Sequence, residues 1–350
     1  MLNVAVVGCG RWGMNYVRLL HELPQARLVV SCDTDPLRLK MVQERFPLLS
    51  VTDSLDEVLS NRWIDAVIVA TPASTHYEVA KRVLLAGKHV MVEKPMTTDS
   101  AQAEELTFLA EEKKLTLMVG LTFFYNSGLY KTREIMEDPK FGDLYYLHLT
   151  RTNFGSVRND VGVTWDLAAH DLAICEFLLG RQPEWVQANG ATVLNHKLED
   201  VVFITLGYLG GVMANIHVSW VCPNKVREVV AVGSGRRVVF DDAHPTERVR
   251  IYEKGIASAK EEAESFGQFR LLVRDGDIIS PRVEPTEPLR VEVEHFLTCV
   301  AEGKTPLTDG NVGLQNVRVL EAIDRSLQQN GIRVPVATLS KTETRLPVAA

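Results

Sequence analysis

Short apolar runs alternate with helical segments along the first 121 residues. The runs are rich in β-branched residues and have the length of buried strands. The predicted strands are Leu2–Val7, Arg27–Cys32, Ser50–Thr52, Ile64–Ala70, His89–Val92 and Leu115–Leu121. The predicted helices between them are Gly13–Leu23, Pro36–Phe46, a helix that opens at Ser54, Tyr77–Ala86 and Ser100–Lys113. This alternation predicts a doubly wound parallel sheet of the α/β class.

The pattern changes in the second half, where predicted strands follow one another with short turns. These strands are Leu144–Arg151, Trp185–Ala191, Asp200–Tyr208, Val212–Ser219, Lys225–Gly233, Arg236–Asp241 and Val249–Tyr252. Helices are predicted at Ser127–Met136, from Trp165 to Leu179, and at Leu289–Ala301 and Gly310–Gln329. Residues 152–162 form a polar loop, and the charged stretch 254–268 is predicted to be a helix or a mobile insert. We predict an α+β unit with an open, mainly antiparallel sheet flanked by helices.

These patterns predict three units. Residues 1–121 are expected to form a doubly wound domain of the Rossmann type, residues 122–336 a second, α+β domain, and residues 337–350 a C-terminal tail.

A glycine-rich motif follows the first predicted strand directly. Gly8, Gly10 and Gly13 have the G-x-G-x-x-G spacing, with Arg11 and Trp12 between the last two glycines. Gly8 permits a tight turn, Gly10 lets a pyrophosphate approach the backbone, and Gly13 lets the helix pack close to the strand. The helix N-terminus then faces the phosphates. The alternative is a glycine-rich turn with a structural role only.

An acidic residue follows at the position where dinucleotide folds contact the adenine ribose. Asp33 ends the second predicted strand, 20 residues after Gly13. A carboxylate there accepts hydrogen bonds from ribose hydroxyls and repels a 2′-phosphate. Asp35 adds a second negative charge, and Arg38 is the nearest cation. The sequence therefore favours NAD over NADP.

Composition limits the partners of the chain. The net charge of −7 argues against a nucleic-acid partner. No apolar run is long enough to span a bilayer, and the apolar N-terminus is the first predicted strand, so we expect neither a membrane anchor nor a signal peptide. The five cysteines are scattered without metal-ligand spacing. We expect a cytoplasmic protein with reduced thiols and no bound metal.

Two further motifs end strands of the first half, at the sheet edge where ligands bind in such folds. The first is Ala70–His76, and the second is Gly87–Pro95, which contains Glu93-Lys94-Pro95. Together with the motif at Gly8–Gly13, they resemble the Gfo/Idh/MocA oxidoreductases, and the resemblance extends over nearly the whole chain. It implies that Thr71, Pro72, His76, Glu93 and Lys94 contact the cofactor.

The resemblance also gives Lys94 a place near the nicotinamide and the substrate hydroxyl, and it implies a cis bond between Lys94 and Pro95. A cation at this strand end would stabilise an alkoxide as hydride leaves. The alternative is an ordinary surface lysine. His76 either bonds the cofactor or caps the helix that follows.

After the sixth strand, family members often carry Gly-His-x-x-Arg-Tyr-Asn-Pro. This chain keeps Tyr125 and Asn126 but has Leu121, Phe124 and Ser127 at the histidine, arginine and proline positions. The resemblance therefore assigns no role to these three positions. Tyr125 and Asn126 either line the substrate site or cap the next helix.

The helix that opens at Trp165 carries a candidate acid/base. Asp166 and His170 are four residues apart and share one helix face, so the carboxylate is placed to orient the imidazole. A histidine on an apolar helix is otherwise a hydrogen-bonded core residue. The family carries an Asp-x-x-x-His pair here with the histidine as acid/base, and Asp171 completes a His-Asp pair that is also common in the family.

The stretch from Arg151 to Asp171 is most similar to members that oxidise C3 of UDP-linked N-acetylhexosamines. Arg151 and Arg158 are candidate ligands for a diphosphate, and Phe154 for a uracil ring. The alternatives are a free-sugar or inositol-type dehydrogenase and a non-catalytic NAD-binding sensor. The resemblance also implies that residues 122–336 bind the substrate and form a homodimer or homotetramer through the open C-terminal sheet.

Overall fold

The computed structural model describes residues 1–155, 157, 160–194, 198–258 and 271–337. The strands and helices of the N-terminal half are β1 (Leu2–Val7), α1 (Arg11–Glu22), β2 (Ala26–Cys32), α2 (Pro36–Arg45), β3 (Ser50–Thr52), α3 (Leu55–Ser60), β4 (Ala66–Val69), α4 (His76–Leu85), β5 (His89–Glu93), α5 (Ser100–Lys113) and β6 (Leu117–Gly120). Each predicted strand and helix of this half is present, with bounds shifted by at most two residues. Helix α1 begins at Arg11 rather than Gly13, which brings the first turn into the glycine motif.

The six strands are parallel and lie in the order β3-β2-β1-β4-β5-β6. From β1 the chain adds β2 and β3 on one side, and then β4, β5 and β6 on the other side. In such sheets, a crevice forms between β1 and β4 at the carboxyl ends of the strands. The residues of β1 and β4 that form the sheet centre are almost wholly apolar and buried. The prediction of a doubly wound parallel sheet is confirmed.

The C-terminal half contains α6 (Ser127–Glu137), β7 (Leu144–Phe154), α7 (Ala169–Leu179), β8 (Trp185–Ala191), β9 (Val201–Gly207), β10 (Met213–Ser219), β11 (Val221–Gly233), β12 (Arg237–Asp241), β13 (Val249–Tyr252), β14 (Gly255–Ser258), β15 (Leu271–Arg274), β16 (Ile278–Ile279), α8 (Pro288–Glu302), α9 (Gly310–Gln328) and β17 (Val334–Pro335). Nine of these strands form one sheet in the order β16-β13-β12-β11-β7-β10-β9-β8-β17. Its strand pairs are antiparallel except for β7 with β10.

Two secondary-structure predictions for this half are wrong. Strand β7 continues to Phe154, because Thr152 and Phe154 pair with β11. The polar loop therefore begins at Gly155 instead of Thr152. In the charged stretch, residues 255–258 are a strand paired with β15 rather than a helix. Residues 259–268 of that stretch, and residues 338–350 of the predicted tail, lie outside the described residues.

One face of the large sheet is buried and the other is open. On β9, Val202, Ile204 and Leu206 are fully buried, whereas Phe203 between them is exposed. Helix α9 covers the buried face of the large sheet at β8. It also contacts β6 of the first sheet and helix α5, which precedes β6. The two sheets thus share a continuous apolar core, which holds their facing edges in place. The domain boundary after residue 121 stays a prediction.

In the described part of the chain, no helix has the length and apolar character that a bilayer crossing requires.

Candidate active site

A cleft of about 590 Å³ lies between the carboxyl edge of the first sheet and the second half of the chain. Its wall includes the start of α1, the end of β5, the first turns of the helix that carries His170, and parts of the large sheet. The lining residues are Arg11, Trp12, Asn15, Lys94, Thr122, Phe123, Asn126, Arg151, Asn153, Gly155, Asp166, Leu167, His170, Trp220, Arg227, Asp242, Arg248, Glu287, Pro288 and Leu289. The candidate catalytic residues Lys94, Asp166 and His170 are therefore brought together, although 76 positions of sequence separate the first from the last.

The glycine motif fits a dinucleotide pyrophosphate. Gly8 has a φ of 95°, and a Cβ there would lie 2.6 Å from the backbone of Ala70. A Cβ on Gly13 would lie 1.8 Å from the carbonyl oxygen of Gly8, so close helix–strand packing requires glycine. A Cβ on Gly10 would meet only the Arg38 guanidinium, at 3.7 Å, so the space beside this backbone is open. Gly10 is the N-cap of α1 and provides no capping side chain, so the N–H groups of the first turn are available to an anion.

Asp33 lies against this loop. Its Oδ2 accepts a hydrogen bond from the Cys9 amide at 2.6 Å, and its Oδ1 accepts one from the Asp35 amide at 2.9 Å. The Arg38 guanidinium lies 3.5 Å from both the Asp33 and the Asp35 carboxylates. Two carboxylates share this one cation, so the ribose end of the site carries no excess positive charge for a 2′-phosphate.

Lys94 projects from the end of β5 and is only 8% exposed. Its ammonium donates to the backbone carbonyl of Asp166 at 2.6 Å and lies 3.3 Å from Oδ1 of the same residue. The other carboxylate oxygen of Asp166 accepts from the Trp220 indole N–H at 3.2 Å. The carboxylate therefore holds the lysine, and the indole holds the carboxylate. The bond between Lys94 and Pro95 is cis, as the family resemblance implied.

An irregular turn presents Asp166 to the lysine. Residues Thr164–Ala168 form a π-helical turn, in which the Ala169 N–H bonds to the carbonyl of Thr164. Such turns interrupt the regular bonding of a helix and are frequent at functional sites. Here the Asp166 carbonyl faces Lys94. The predicted orientation of His170 by Asp166 is wrong, because no hydrogen bond joins the two side chains among the described residues.

His170 lies in the same cleft with its ring edge against Phe123, at 5.3 Å between ring centroids. Its Nδ1 is buried and has no hydrogen-bond partner in the described part of the chain. Burial lowers the pKa of His170 well below its usual range, and the charges of Lys94, Arg151 and Arg227 lower it further. The imidazole is therefore neutral at pH 7 and available as a proton acceptor.

Two residues that were predicted to contact the cofactor have buried side chains that form hydrogen bonds within the protein. His76 is buried, and its ring nitrogens lie 2.7 Å from the Pro95 carbonyl and 2.9 Å from the Thr71 carbonyl. Glu93 accepts from the Tyr16 hydroxyl at 2.6 Å and from the Lys94 amide at 3.1 Å. Both residues fasten the loops that carry Thr71 and Lys94, which corrects their predicted role.

The predicted diphosphate ligand Arg151 is already paired. Arg151 is 4% exposed, and its guanidinium forms a bidentate pair with Asp171, with N–O distances of 2.9 to 3.1 Å. The same guanidinium lies over the Phe123 ring at 4.5 Å. Arg151 therefore lines the cleft with its guanidinium held by Asp171, and it is not free to bind a diphosphate. Asp171 is buried and does not line the cleft, which argues against its predicted contact with the substrate. Arg158 lies outside the described residues.

The two residues of the retained Tyr-Asn motif separate. Tyr125 is buried, does not line the cleft, and hydrogen-bonds the Thr308 hydroxyl at 3.1 Å, so its predicted substrate contact is wrong. Asn126 caps α6 by accepting from the Gly128 amide at 2.9 Å and also lines the cleft. Its side-chain amide donates to Asp242 at 3.2 Å.

Several cleft residues were not predicted from the sequence. Trp220, Arg227, Asp242 and Arg248 come from or beside strands β10 to β13, and they reach the cleft only because the large sheet folds against the first half. Trp220 continues the alternation of β10, in which Ala214, Ile216 and Val218 are buried, and this periodicity is the one local signal among the four.

Comparison with known proteins assigns the family. Residues 2–121 match the model described as "Oxidoreductase family, NAD-binding Rossmann fold", and residues 130–239 match the "GFO/IDH/MocA C-terminal domain". The chain belongs to the Gfo/Idh/MocA family. It is an oxidoreductase whose N-terminal half is an NAD-binding Rossmann domain.

Relatives within the family are distant but span most of the chain. The inositol 2-dehydrogenase of Rhizobium meliloti is 22% identical, over 94% of this chain and 97% of its own. The UDP-N-acetylglucosamine 3-dehydrogenase of Acidithiobacillus ferrooxidans is 28% identical, over 74% of this chain and 77% of its own. The solved structure of GenD2 from gentamicin A biosynthesis, in complex with NAD, has a TM-score of 0.81 at 24% identity, over 96% of this chain and 97% of its own.

The arrangement of Asp33 and Arg38 predicts a change of cofactor preference in an Asp33→Ser variant. Loss of the carboxylate removes a repulsive charge and releases Arg38 toward a 2′-phosphate. We expect the ratio of NAD to NADP affinity to fall by about tenfold to a hundredfold, the size of one charge-assisted interaction. Titration of the protein with each reduced cofactor, followed by fluorescence, measures the ratio. An unchanged ratio contradicts this account of Asp33.

The environment of His170 predicts a pH-dependent stability. The folded protein binds a proton at His170 less readily than the unfolded chain does, so protonation favours unfolding. The stability contributed by the neutral ring is complete above about pH 6.5, the unfolded value, and is lost as the pH falls below it. Urea unfolding of wild type and His170→Gln at pH 7.5 and 5.5 should show the smaller loss in the variant. Equal losses contradict the prediction.

Proposed function

We propose that the protein transfers hydride between a secondary hydroxyl of a sugar-like substrate and the nicotinamide of NAD. The observation that carries this proposal is the placement of Lys94 and His170 in one cleft with the glycine motif at the start of α1. A buried cation and a neutral imidazole beside a dinucleotide loop are the two groups that alcohol oxidation needs.

Each residue has a defined task in this reaction. NAD, which the glycine motif at the start of α1 would hold, would supply the hydride acceptor for the carbinol carbon. His170 takes the hydroxyl proton as the carbonyl forms, and Lys94 stabilises the negative charge on the oxygen. Asp166 is a positioning residue that holds the Lys94 ammonium at 2.6 to 3.3 Å. The buried Arg151–Asp171 pair supports Phe123, against which the His170 ring packs.

We further propose that the substrate is a UDP-N-acetylhexosamine oxidised at C3. Support comes from the UDP-N-acetylglucosamine 3-dehydrogenase relative and from a cleft of about 590 Å³, a volume typical of sites for drug-sized ligands.

A free polyol is the second candidate, and it has its own support. Inositol dehydrogenases from Rhizobium meliloti and Bacillus subtilis align over 94% and 95% of this chain. The arginine first considered for the diphosphate, Arg151, is held by Asp171. A neutral polyol does not require that residue.

The test is reduction of NAD, followed by absorbance, with UDP-N-acetylglucosamine, its uronic acid form and myo-inositol offered in parallel. Lys94→Met and His170→Ala are each expected to lower kcat by at least about a hundredfold, the range of one general base or one oxyanion stabiliser. Arg181→Gln, a surface variant on the turn after α7, is the control and should match wild type. Asp166→Asn should lower kcat less than Lys94→Met does.

The outcomes separate the candidates. Turnover with a UDP-sugar alone supports the nucleotide-sugar assignment, and turnover with myo-inositol alone replaces it with the polyol assignment. Tight NAD binding with no turnover of any of the three favours a sensor. An active His170→Ala variant removes the proposed base.

We propose that the open face of the large sheet pairs with a second copy of the chain. Tyr146, Phe203 and Met213 are exposed there, and Phe203 stacks on His217 at 4.4 Å between ring centroids. These residues alternate with the buried residues of β7, β9 and β10, so they form one continuous face. Exposed aromatic patches of this kind are typical of interfaces.

The proposed interface predicts that Phe203→Asp shifts the protein toward the monomer, because a charge placed in an apolar contact loses its hydration. Light scattering after gel filtration measures the mass. Leu48→Asp, on a fully exposed residue far from the sheet, is the control. A monomeric wild type, or an oligomer unaffected by Phe203→Asp, contradicts the proposal.

A further inference from the structure

A cluster of two arginines and one aspartate forms part of the cleft wall on the side of the large sheet. The Arg248 guanidinium lies 2.5 Å from Oδ1 of Asp242, and the Arg227 guanidinium lies 3.5 Å from Oδ2. The Asn126 amide also donates to Asp242. All four residues line the cleft that contains Lys94 and His170. We call Arg227, Asp242 and Arg248 the arginine cluster.

The backbone places the cluster firmly. Glu228 pairs with Asp241 across β11 and β12, so Arg227 and Asp242 are neighbours at the end of that ladder. The Asp242 amide donates to the Arg227 carbonyl at 2.9 Å and extends the pairing by one residue. Arg248 immediately precedes β13. Both guanidiniums are therefore anchored on sheet strands rather than on long loops.

The cluster carries an excess positive charge. Two guanidiniums share the Asp242 carboxylate, whereas elsewhere in the cleft Lys94 lies against Asp166 and Arg151 against Asp171. The acid at the rim, Glu287, is paired with Arg18. The Arg227 side chain is 42% exposed, and its contact with Asp242 is as long as 3.5 Å. A guanidinium has five N–H donors, so most of the donors of Arg227 are not used by Asp242.

The cluster lies in the same cleft as the reacting groups. Arg227 and Arg248 line it together with Lys94 and His170, and the charge of Arg227 is among those that lower the pKa of His170. An anion bound at the arginine cluster would therefore share this cleft with the hydroxyl that His170 deprotonates. The pyrophosphate of the cofactor has its own place at the start of α1, where Gly10 leaves the backbone open.

We propose that Arg227 and Arg248 bind an anionic group of the substrate, a carboxylate or a phosphate, and that Asp242 is the positioning residue that holds both guanidiniums. This inference rests on the proposed function and gives it a substrate class: acidic sugars rather than neutral polyols. Guanidinium groups bind both kinds of oxyanion by paired hydrogen bonds.

The test uses equilibrium binding to the NADH-loaded protein, measured by calorimetry, so that it does not depend on turnover. Three ligands separate the two anions: D-glucuronate has only a carboxylate, UDP-N-acetylglucosamine has only a diphosphate, and N-acetylglucosamine has neither. The variants are Arg227→Gln and Arg248→Gln. Arg237→Gln is the matched control, because Arg237 is on the same sheet and stacks on Tyr252 outside the cleft.

We expect Arg227→Gln and Arg248→Gln each to weaken binding of at least one acidic ligand by about tenfold to a hundredfold, the effect of losing one charge-assisted hydrogen bond. Binding of N-acetylglucosamine should not change, and Arg237→Gln should resemble wild type with all three ligands. A loss confined to glucuronate identifies a carboxylate site, and a loss confined to the UDP-sugar identifies a phosphate site.

Three results would overturn the inference. The first is that wild type binds neither acidic ligand more tightly than N-acetylglucosamine. The second is that the arginine variants bind the acidic ligands as wild type does. The third is an equal loss for neutral and acidic ligands, which indicates a purely structural role. If a parallel assay shows that NADH is neither formed nor consumed, that result contradicts only the proposed function. The arginine cluster is tested by binding, which does not depend on turnover.

Discussion

The contact between Lys94 and Asp166 joins the two halves of the cleft. The lysine ends a central strand of the parallel sheet, and the aspartate lies on the π-helical turn before α7. Both groups are largely removed from water, where an unpaired charge costs several kcal/mol. The ammonium is therefore useful for stabilising an oxyanion only because a carboxylate and a backbone carbonyl already hold it. The shape of the cleft depends on that pairing.

The electrostatics of the cleft follow from the same arrangement. Burial lowers the pKa of His170 most, and the charges of Lys94, Arg151 and Arg227 lower it further, so the ring stays neutral. Neutrality suits a residue that must accept a proton. The positive surroundings suit an oxygen that gains negative charge and a substrate that carries an anionic group. One set of charges thus supports both the proposed chemistry and the proposed substrate class.

Supporting residues hold the loops around the cleft in place. His76 links the turn after β4 to Pro95, and Glu93 links Tyr16 of α1 to the Lys94 amide. At the rim of the cleft, Arg18 of α1 pairs with Glu287, and Arg290 of α8 pairs with Glu22. These contacts position the start of α1, the end of β5 and the start of α8, which all contribute to the cleft wall.

The sequence by itself determined the parallel sheet, the glycine motif and the residues Asp33, Lys94 and His170. Apolar periodicity and glycine spacing are local properties, and strand ends can be placed from them.

Tertiary structure decided which partner each charge takes: Asp166 pairs with Lys94 instead of His170, Arg151 with Asp171 instead of a ligand, and Asp242 with two arginines. Helical spacing gives the face on which a side chain lies, but the choice among oppositely charged neighbours depends on what the other sheet brings within hydrogen-bond distance. For this reason the arginine cluster, which is spread over residues 227–248, had no signature in the sequence.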